Sequence, residues 1–311
     1  MSESVTTYNS TTNESKSKII FPEISTRSEI NNLSFPNDAA NNINKEDETL
    51  NKIKEFYSES SKIYFPIINS NENFVGNYDN YITETLKGIS KLNKLNFEYA
   101  LLDPQLYLNM NRNEITRNVV SGKKVVLLDL DETLIHGDFQ EEYLNDIDHP
   151  YDKIIKFTSL DEQEEVSVGI FIRNGVQKFL EEISKIFDIG IFTASSKDYA
   201  DAVINYLDPN NEFIKFRLYR NSCIRVNNIS IKDLRIIGVD LKNIVLIDNN
   251  MYSFANQLGN GILINSFYYD KNDYDLFSVM SYLLTYIAPT DDVRKINEMF
   301  FHFEDILKQI N

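Results

Sequence analysis

From about residue 120 the chain alternates short apolar runs with amphipathic stretches, and this alternation limits the available folds more than any other feature. The runs are KKVVLLDL (123–130), VSVGIFIR (166–173), IGIFTA (189–194), FRLYR (216–220), IVLIDN (244–249) and ILIN (262–265). Helical patterns such as GVQKFLEEISKIF (175–187) and KDYADAVINYL (197–207) lie between them. Strands buried on both faces read as unbroken β-branched runs, and parallel strands need crossover helices between them. The pattern predicts an α/β fold whose central parallel sheet is covered on both faces. In such sheets chemistry gathers outside the carboxyl ends of the strands, so the residues just after each run are the place to look.

The rest of the chain is less specific. Residues 1–48 are rich in Ser, Thr and Asn with few clustered apolar side chains, which predicts a disordered tail. Residues 49–118 read as a helical extension of unknown role. Leu50, Ile53, Phe56 and Tyr57 share helical spacing, as do Ile82, Leu86, Ile89 and Leu92. Such helices pack on the following domain or form a docking or regulatory module, and the first is the simpler expectation. After residue 290, DDVRKINEMFFHFEDILKQI predicts one closing helix with Ile296, Met299, Phe300, Phe303 and Ile306 on one face. That leaves 119–311 as the domain that carries the chemistry.

Charge and composition exclude several function classes. With 47 acidic against 31 basic residues, the net charge of -16 repels nucleic acid and anionic membrane, and no basic run offsets it. One cysteine, Cys223, rules out an internal disulfide or a cysteine-rich zinc site, and suits a reducing compartment. The start of the chain lacks the basic-then-apolar layout of a signal peptide, and its apolar runs are too short to cross a bilayer. The expected location is intracellular, nuclear or cytoplasmic. Oligomeric state does not follow from the sequence.

The first strand ends in DLDETL (129–134). Alternation along a strand lets Asp129 and Asp131 share a direction as the chain enters its loop. Two close carboxylates resist joint ionisation, so such a pair calls for a divalent cation or a shared proton. That arrangement serves a carboxylate nucleophile beside a general acid.

DLDETL followed by Ile135, His136 and Phe139 resembles the first motif of haloacid-dehalogenase-type phosphatases. More narrowly it is similar to the small C-terminal-domain phosphatases, which act on the tail of RNA polymerase II. FTASSKDYAD (192–201) resembles their second motif, RLYRNSCI with IKDL (217–234) their third, and LIDNN (246–250) their fourth. The resemblance covers roughly 120–300. It implies a Rossmann-like three-layer sandwich with a short β insert in place of a cap, and an Fcp-type homology domain over 119–311.

By that resemblance the activity is Mg²⁺-dependent dephosphorylation of serine or threonine in a protein, through an aspartyl-phosphate. Asp129 is then the nucleophile and Asp131 the general acid and base. Thr193 and Lys232 hold the phosphoryl oxygens. Mg²⁺ is bound by the Asp129 carboxylate, the Asp131 carbonyl and Asn249, with Asp248 acting behind them or through water. His136 is left no proton to move. A pocket matching the family's proline site comprises Phe139, Tyr199 and Arg220, with Phe157 as a further wall.

The insert at about 138–167 is short, and only 38 residues separate Thr193 from Lys232, so neither usual place holds a cap. An uncapped site admits a phosphorylated side chain on a protein or peptide partner. Three departures from the family pattern bear on specificity rather than catalysis. Ser196 replaces an apolar wall residue, Asn174 stands within Arg173-Asn174-Gly175 where proline is usual, and Met251 replaces another proline. Because the net charge opposes a phosphopeptide, attraction must be local, with Lys232, Arg220, Arg173 and Lys197 as the cations to supply it. Two other functions stay open: a non-catalytic phosphopeptide-binding or scaffold protein, and a metabolite phosphatase on the same fold.

Overall fold

The fold, taken from a computed structural model, is described for residues 77–99, 122–140, 151–159, 161, 163–226 and 228–310. The expectations for residues 1–76 and 100–121 lie outside the described residues. The strand β1 (Val125–Leu128) is central, and every one of its side chains is buried. It pairs in parallel with β5 (Asp188–Phe192) on one side and β9 (Ile244–Asp248) on the other. With β6 (Ile214–Leu218) and β10 (Gly261–Leu263) at the edges, the sheet has the order β10-β9-β1-β5-β6. All its pairings are parallel.

Side chains alternate along β1, and the two faces build two cores. Val126 and Leu128 join the cluster beneath α2 (Val176–Ile186), α3 (Lys197–Leu207) and α4 (Asp275–Tyr282). Val125 and Leu127 join the opposite cluster. There they meet α1 (Asn77–Tyr99), through Ile82, Leu86, Ile89 and Leu92, and Phe303 of the terminal helix. α1 therefore packs on the domain. These four apolar side chains are buried, each worth roughly 1.5–3 kcal/mol relative to exposure.

Two expectations need correcting. The run VSVGIFIR is not a strand of the parallel sheet. It forms β4 (Glu165–Ile172), the middle strand of a separate antiparallel sheet with β2 (Ile135–Asp138) and β3 (Lys153–Thr158). Its Val168 and Ile170 are buried against the main core, which is why the run reads as apolar. The predicted closing helix is two, α5 (Val293–Phe301) and α6 (Phe303–Ile310). His302 between them has a φ of 54°, a left-handed conformation that ends α5. The single apolar face breaks there, and Met299 is exposed while Phe303 is buried.

Arg173, following β4, is also not a substrate-attracting cation. Its side chain is fully buried and pairs with Asp273 at 2.8 Å and Asp275 at 3.2 Å. Its Nη1 donates to the Thr133 carbonyl at 3.0 Å, so it ties the loop after β1 to the segment before α4. Gly175, two residues on, begins α2 with φ of 86°, and a Cβ there would lie 2.6 Å from the Phe277 ring.

Candidate active site

The loop after β1 turns at once. Leu134 and Ile135 donate their N–H groups to the Leu130 carbonyl, and Glu132 adopts a φ of 56°. The turn leaves Asp129 buried at the carboxyl edge of the sheet, with its N–H bonded to Ile247 O of β9 at 3.0 Å. β9 ends one residue later in Asp248, so register alone sets two acids side by side. Lys232 follows the short strand β8 (Ile229–Ile231), which pairs with β7 (Ile224–Val226), and reaches in between them. Its Nζ lies 2.5 Å from Asp129 Oδ1 and 2.6 Å from Asp248 Oδ2.

Asp131 is held apart from this pair. Its Oδ2 accepts from Ser195 Oγ at 2.5 Å and its Oδ1 from the Tyr199 hydroxyl at 2.6 Å. Thr193 directly follows β5, and its Oγ1 accepts from Ser195 N at 3.0 Å, which leaves its hydroxyl proton to point elsewhere. Thr133 donates to Asp129 Oδ2 at 3.2 Å. The sequence pattern alone does not single out Ser195 or Thr133. Each lies two residues from a candidate acid or hydroxyl within a motif, and that adjacency is the available signal.

Burial governs the electrostatics. It pushes the Asp129 carboxyl up to about 7, against the pull of Lys232 and with the help of Asp248 and Asp131. It also raises Asp131, against the hydrogen bonds from Ser195 and Tyr199. For Lys232 burial works against the charge, but the two carboxylates outweigh it and hold the ammonium above its ordinary value. Cys223 nearby is a buried thiol pushed up by burial to about 11, which suits a packing role.

Two carboxylates thus share one ammonium with Asp131 close by, and this acidic, oxygen-rich setting suits a hard cation with oxygen ligands. Asn249 donates its Nδ2 to Ser266 at 3.0 Å, leaving its amide oxygen as the atom it can offer. Both Asp248 oxygens are engaged, Oδ2 by Lys232 and Oδ1 by the Asn250 N–H at 2.8 Å, which fits an indirect part in holding a cation.

These groups form the floor of an open cleft of about 620 Å³. Phe139, Phe157, Val166 and Tyr199 make one wall. The rings of Phe139 and Phe157 lie 5.3 and 5.7 Å from that of Tyr199. Ser195 and Ser196 make the wall beside them more polar, and Arg220 stands at the rim. The Arg220 Nε donates to Ala194 O at 2.9 Å, fixing its stem beside the second motif. Lys197 does not line the cleft; its Nζ lies 2.5 Å from Asp201 and over the Tyr219 ring. Among the described residues, Lys232 and Arg220 are the cations of the cleft, and Lys197 and Arg173 are spent elsewhere.

A family model described as NLI interacting factor-like phosphatase matches residues 124–294. The CTD small phosphatase-like protein 2 of Dictyostelium discoideum is 39% identical over 56% of this chain and 29% of its own length. The CTD small phosphatase-like protein 3 of Caenorhabditis elegans is 36% identical over 58% of this chain and 60% of its own length. The match to these curated relatives thus spans less than two thirds of their length, 29% of the first and 60% of the second. The structure of the fission yeast RNA polymerase II CTD phosphatase Fcp1 is 18% identical, with a TM-score of 0.42 over 65% of this chain and 54% of that one.

Proposed function

The chain belongs to the NLI interacting factor-like phosphatase family, and from that premise we propose that it is a metal-dependent phosphatase of phosphoserine or phosphothreonine in proteins. The observation that carries this reading is the Asp129–Lys232–Asp248 cluster at the floor of an uncapped cleft, with Asp131 and Thr193 beside it. The short β2–β4 sheet stands where a cap would close over a small molecule, and leaves room for a side chain presented by a protein.

In the proposed reaction an Asp129 carboxylate oxygen attacks phosphorus as the bond from phosphorus to the seryl or threonyl oxygen breaks. Asp131, raised by burial and held by Ser195 and Tyr199, gives its proton to the departing oxygen. The same carboxylate then takes a proton from the water that attacks the phosphorus of the acyl phosphate, which returns Asp129 and releases phosphate. Lys232 and the Thr193 hydroxyl neutralise charge on the equatorial oxygens. A magnesium ion held by Asp129, the Asp131 carbonyl and Asn249, backed by Asp248, supplies charge neutralisation to the phosphoryl group when bound.

The substrate-facing part of the proposal is the aromatic wall of Phe139, Phe157 and Tyr199, which suits an apolar or proline residue next to the phosphorylated one. The polymerase tail is one such substrate. Ser196 makes this wall smaller and more polar than the family pattern, which leaves other phosphoproteins equally suited.

Two measurements test this. Hydrolysis of an aryl phosphate at mildly acid pH should require Mg²⁺ and stop on adding EDTA; no metal-dependent turnover would favour the non-catalytic binding function. Arg220→Ala should raise KM for a phosphopeptide about tenfold, as loss of one charge-assisted contact implies, with kcat little changed. An unchanged KM would remove Arg220 from substrate binding.

A further inference from the structure

The helix α1 lies before residue 124, outside the part of the chain matched to the family, yet it packs directly on the segment that holds the catalytic lysine. That segment is the single helical turn Met251–Phe254. Its Ser253 carbonyl accepts the Lys232 backbone N–H at 2.7 Å. Its other end is tied to Asp248, because Asn250 gives its N–H to Asp248 Oδ1 and accepts from Tyr252 N at 3.1 Å. Both partners of the buried ion pair are therefore anchored to one short turn.

The turn is gripped from two sides. Phe254 stacks on Phe303 of α6, with ring centroids 6.3 Å apart. On the other side the α1 backbone comes so close to Tyr252 that a Cβ at Gly88 would collide with the tyrosine hydroxyl. A glycine inside a 23-residue helix costs up to about 1 kcal/mol against alanine. The close approach of the ring gives that cost a reason. Buried Leu86 and Ile89 on either side of Gly88 hold the helix at this distance.

We propose that α1 is a positioning element of the active site, in which Gly88 seats Tyr252 and so sets the turn that places Lys232 against Asp129. This rests on the phosphatase reading for its catalytic consequence, but not for the placement of Lys232. The helix acts through the Tyr252 ring and the Ser253 carbonyl. Because small displacements of a positioned group are costly to catalysis, moving this turn should lower kcat rather than substrate affinity.

The test is a size exchange in the full chain. Gly88→Leu favours the helix intrinsically, so loss of function in it does not come from melting α1. It should drive Tyr252 aside and lower kcat for an aryl phosphate roughly 5–20-fold, with KM changed less than about twofold. Tyr252→Ala, which leaves α1 untouched, should do the same. The double variant, in which leucine occupies the space vacated by the ring, should recover to within about threefold of the native rate, a coupling that independent sites do not show. Amide hydrogen exchange at Lys232 should accelerate in each single variant and slow again in the double. Native kcat and native Lys232 exchange in both single variants, or a double variant showing the product of the single losses, would overturn the proposal. If the native chain hydrolyses no phosphoester, exchange at Lys232 still decides the positioning claim, and the phosphatase reading is the one that fails.

Discussion

Asp129→Asn is expected to abolish phosphate release, by at least about a thousandfold, while the protein stays folded. Removal of a nucleophile acts on this scale or beyond, and in the proposed reaction Asp129 is the group that forms the covalent intermediate. The side chains have nearly the same shape, and an amide avoids the burial cost that already pushes the Asp129 carboxyl up to about 7. Lys232 keeps a carboxylate partner in Asp248 at 2.6 Å. Thermal stability should therefore change by no more than about 1 kcal/mol, the scale of a single hydrogen bond. Substantial turnover in this variant, with a native melting curve, would mean that another carboxylate attacks phosphorus.

Lys232→Met should be damaging in two ways. Its ammonium is buried and serves Asp129 and Asp248 together, so its loss leaves two carboxylates facing each other without a counter-charge. Removing one partner of a buried ion pair costs about 3–5 kcal/mol, which for a domain of this size lowers Tm by roughly 6–20 °C. Activity should fall about a hundredfold or more, since charge on the equatorial oxygens loses its fixed partner.

The stability loss should also depend on pH, with a definite sign. Asp129 already has a folded value of about 7, above its unfolded value near 4. A group raised in this way contributes stability that is fully present below the unfolded value and is lost as pH rises through the folded one. Lys232 is the influence that lowers Asp129, so its removal raises the folded value further. The gap in Tm between native and Lys232→Met should widen as pH rises through about 7, where native Asp129 ionises and the variant's does not. Adding Asp248→Asn should close part of it. A gap that narrows with rising pH would contradict the assigned charges.

Much of this candidate site is legible in the sequence because most of its proposed groups come directly after a strand. The runs ending at Leu128, Phe192 and Asp248 deliver Asp129, Thr193 and Asn249 to one edge of the sheet, whereas Lys232, after β8 of a separate two-stranded sheet, is legible only through the resemblance of its motif. Apolar runs mark strands well when both faces are covered. They do not say which sheet a strand joins. The run 166–173 resembles its parallel neighbours because its Val168 and Ile170 are covered by the same core, although its partners are antiparallel.

Side-chain partners are harder still to read. Arg173 resembles a substrate-binding cation until its contacts to Asp273 and Asp275, a hundred residues on, are seen. Ser195 is one of several serines in sequence, and becomes specific only when its hydroxyl meets Asp131. The break at His302 depends on a single left-handed residue, a conformation the sequence pattern does not announce for histidine.

The attacking atom is best tested by trapping the covalent intermediate. The protein would be quenched in acid during turnover of an aryl phosphate, then treated with borohydride, which reduces an aspartyl phosphate to homoserine. Peptide mass spectrometry should find homoserine at position 129 alone, and none without substrate or in Asp129→Asn. Homoserine at position 131 or 248, or steady turnover with no reducible acyl phosphate on any carboxylate, would contradict the assignment of Asp129 as nucleophile.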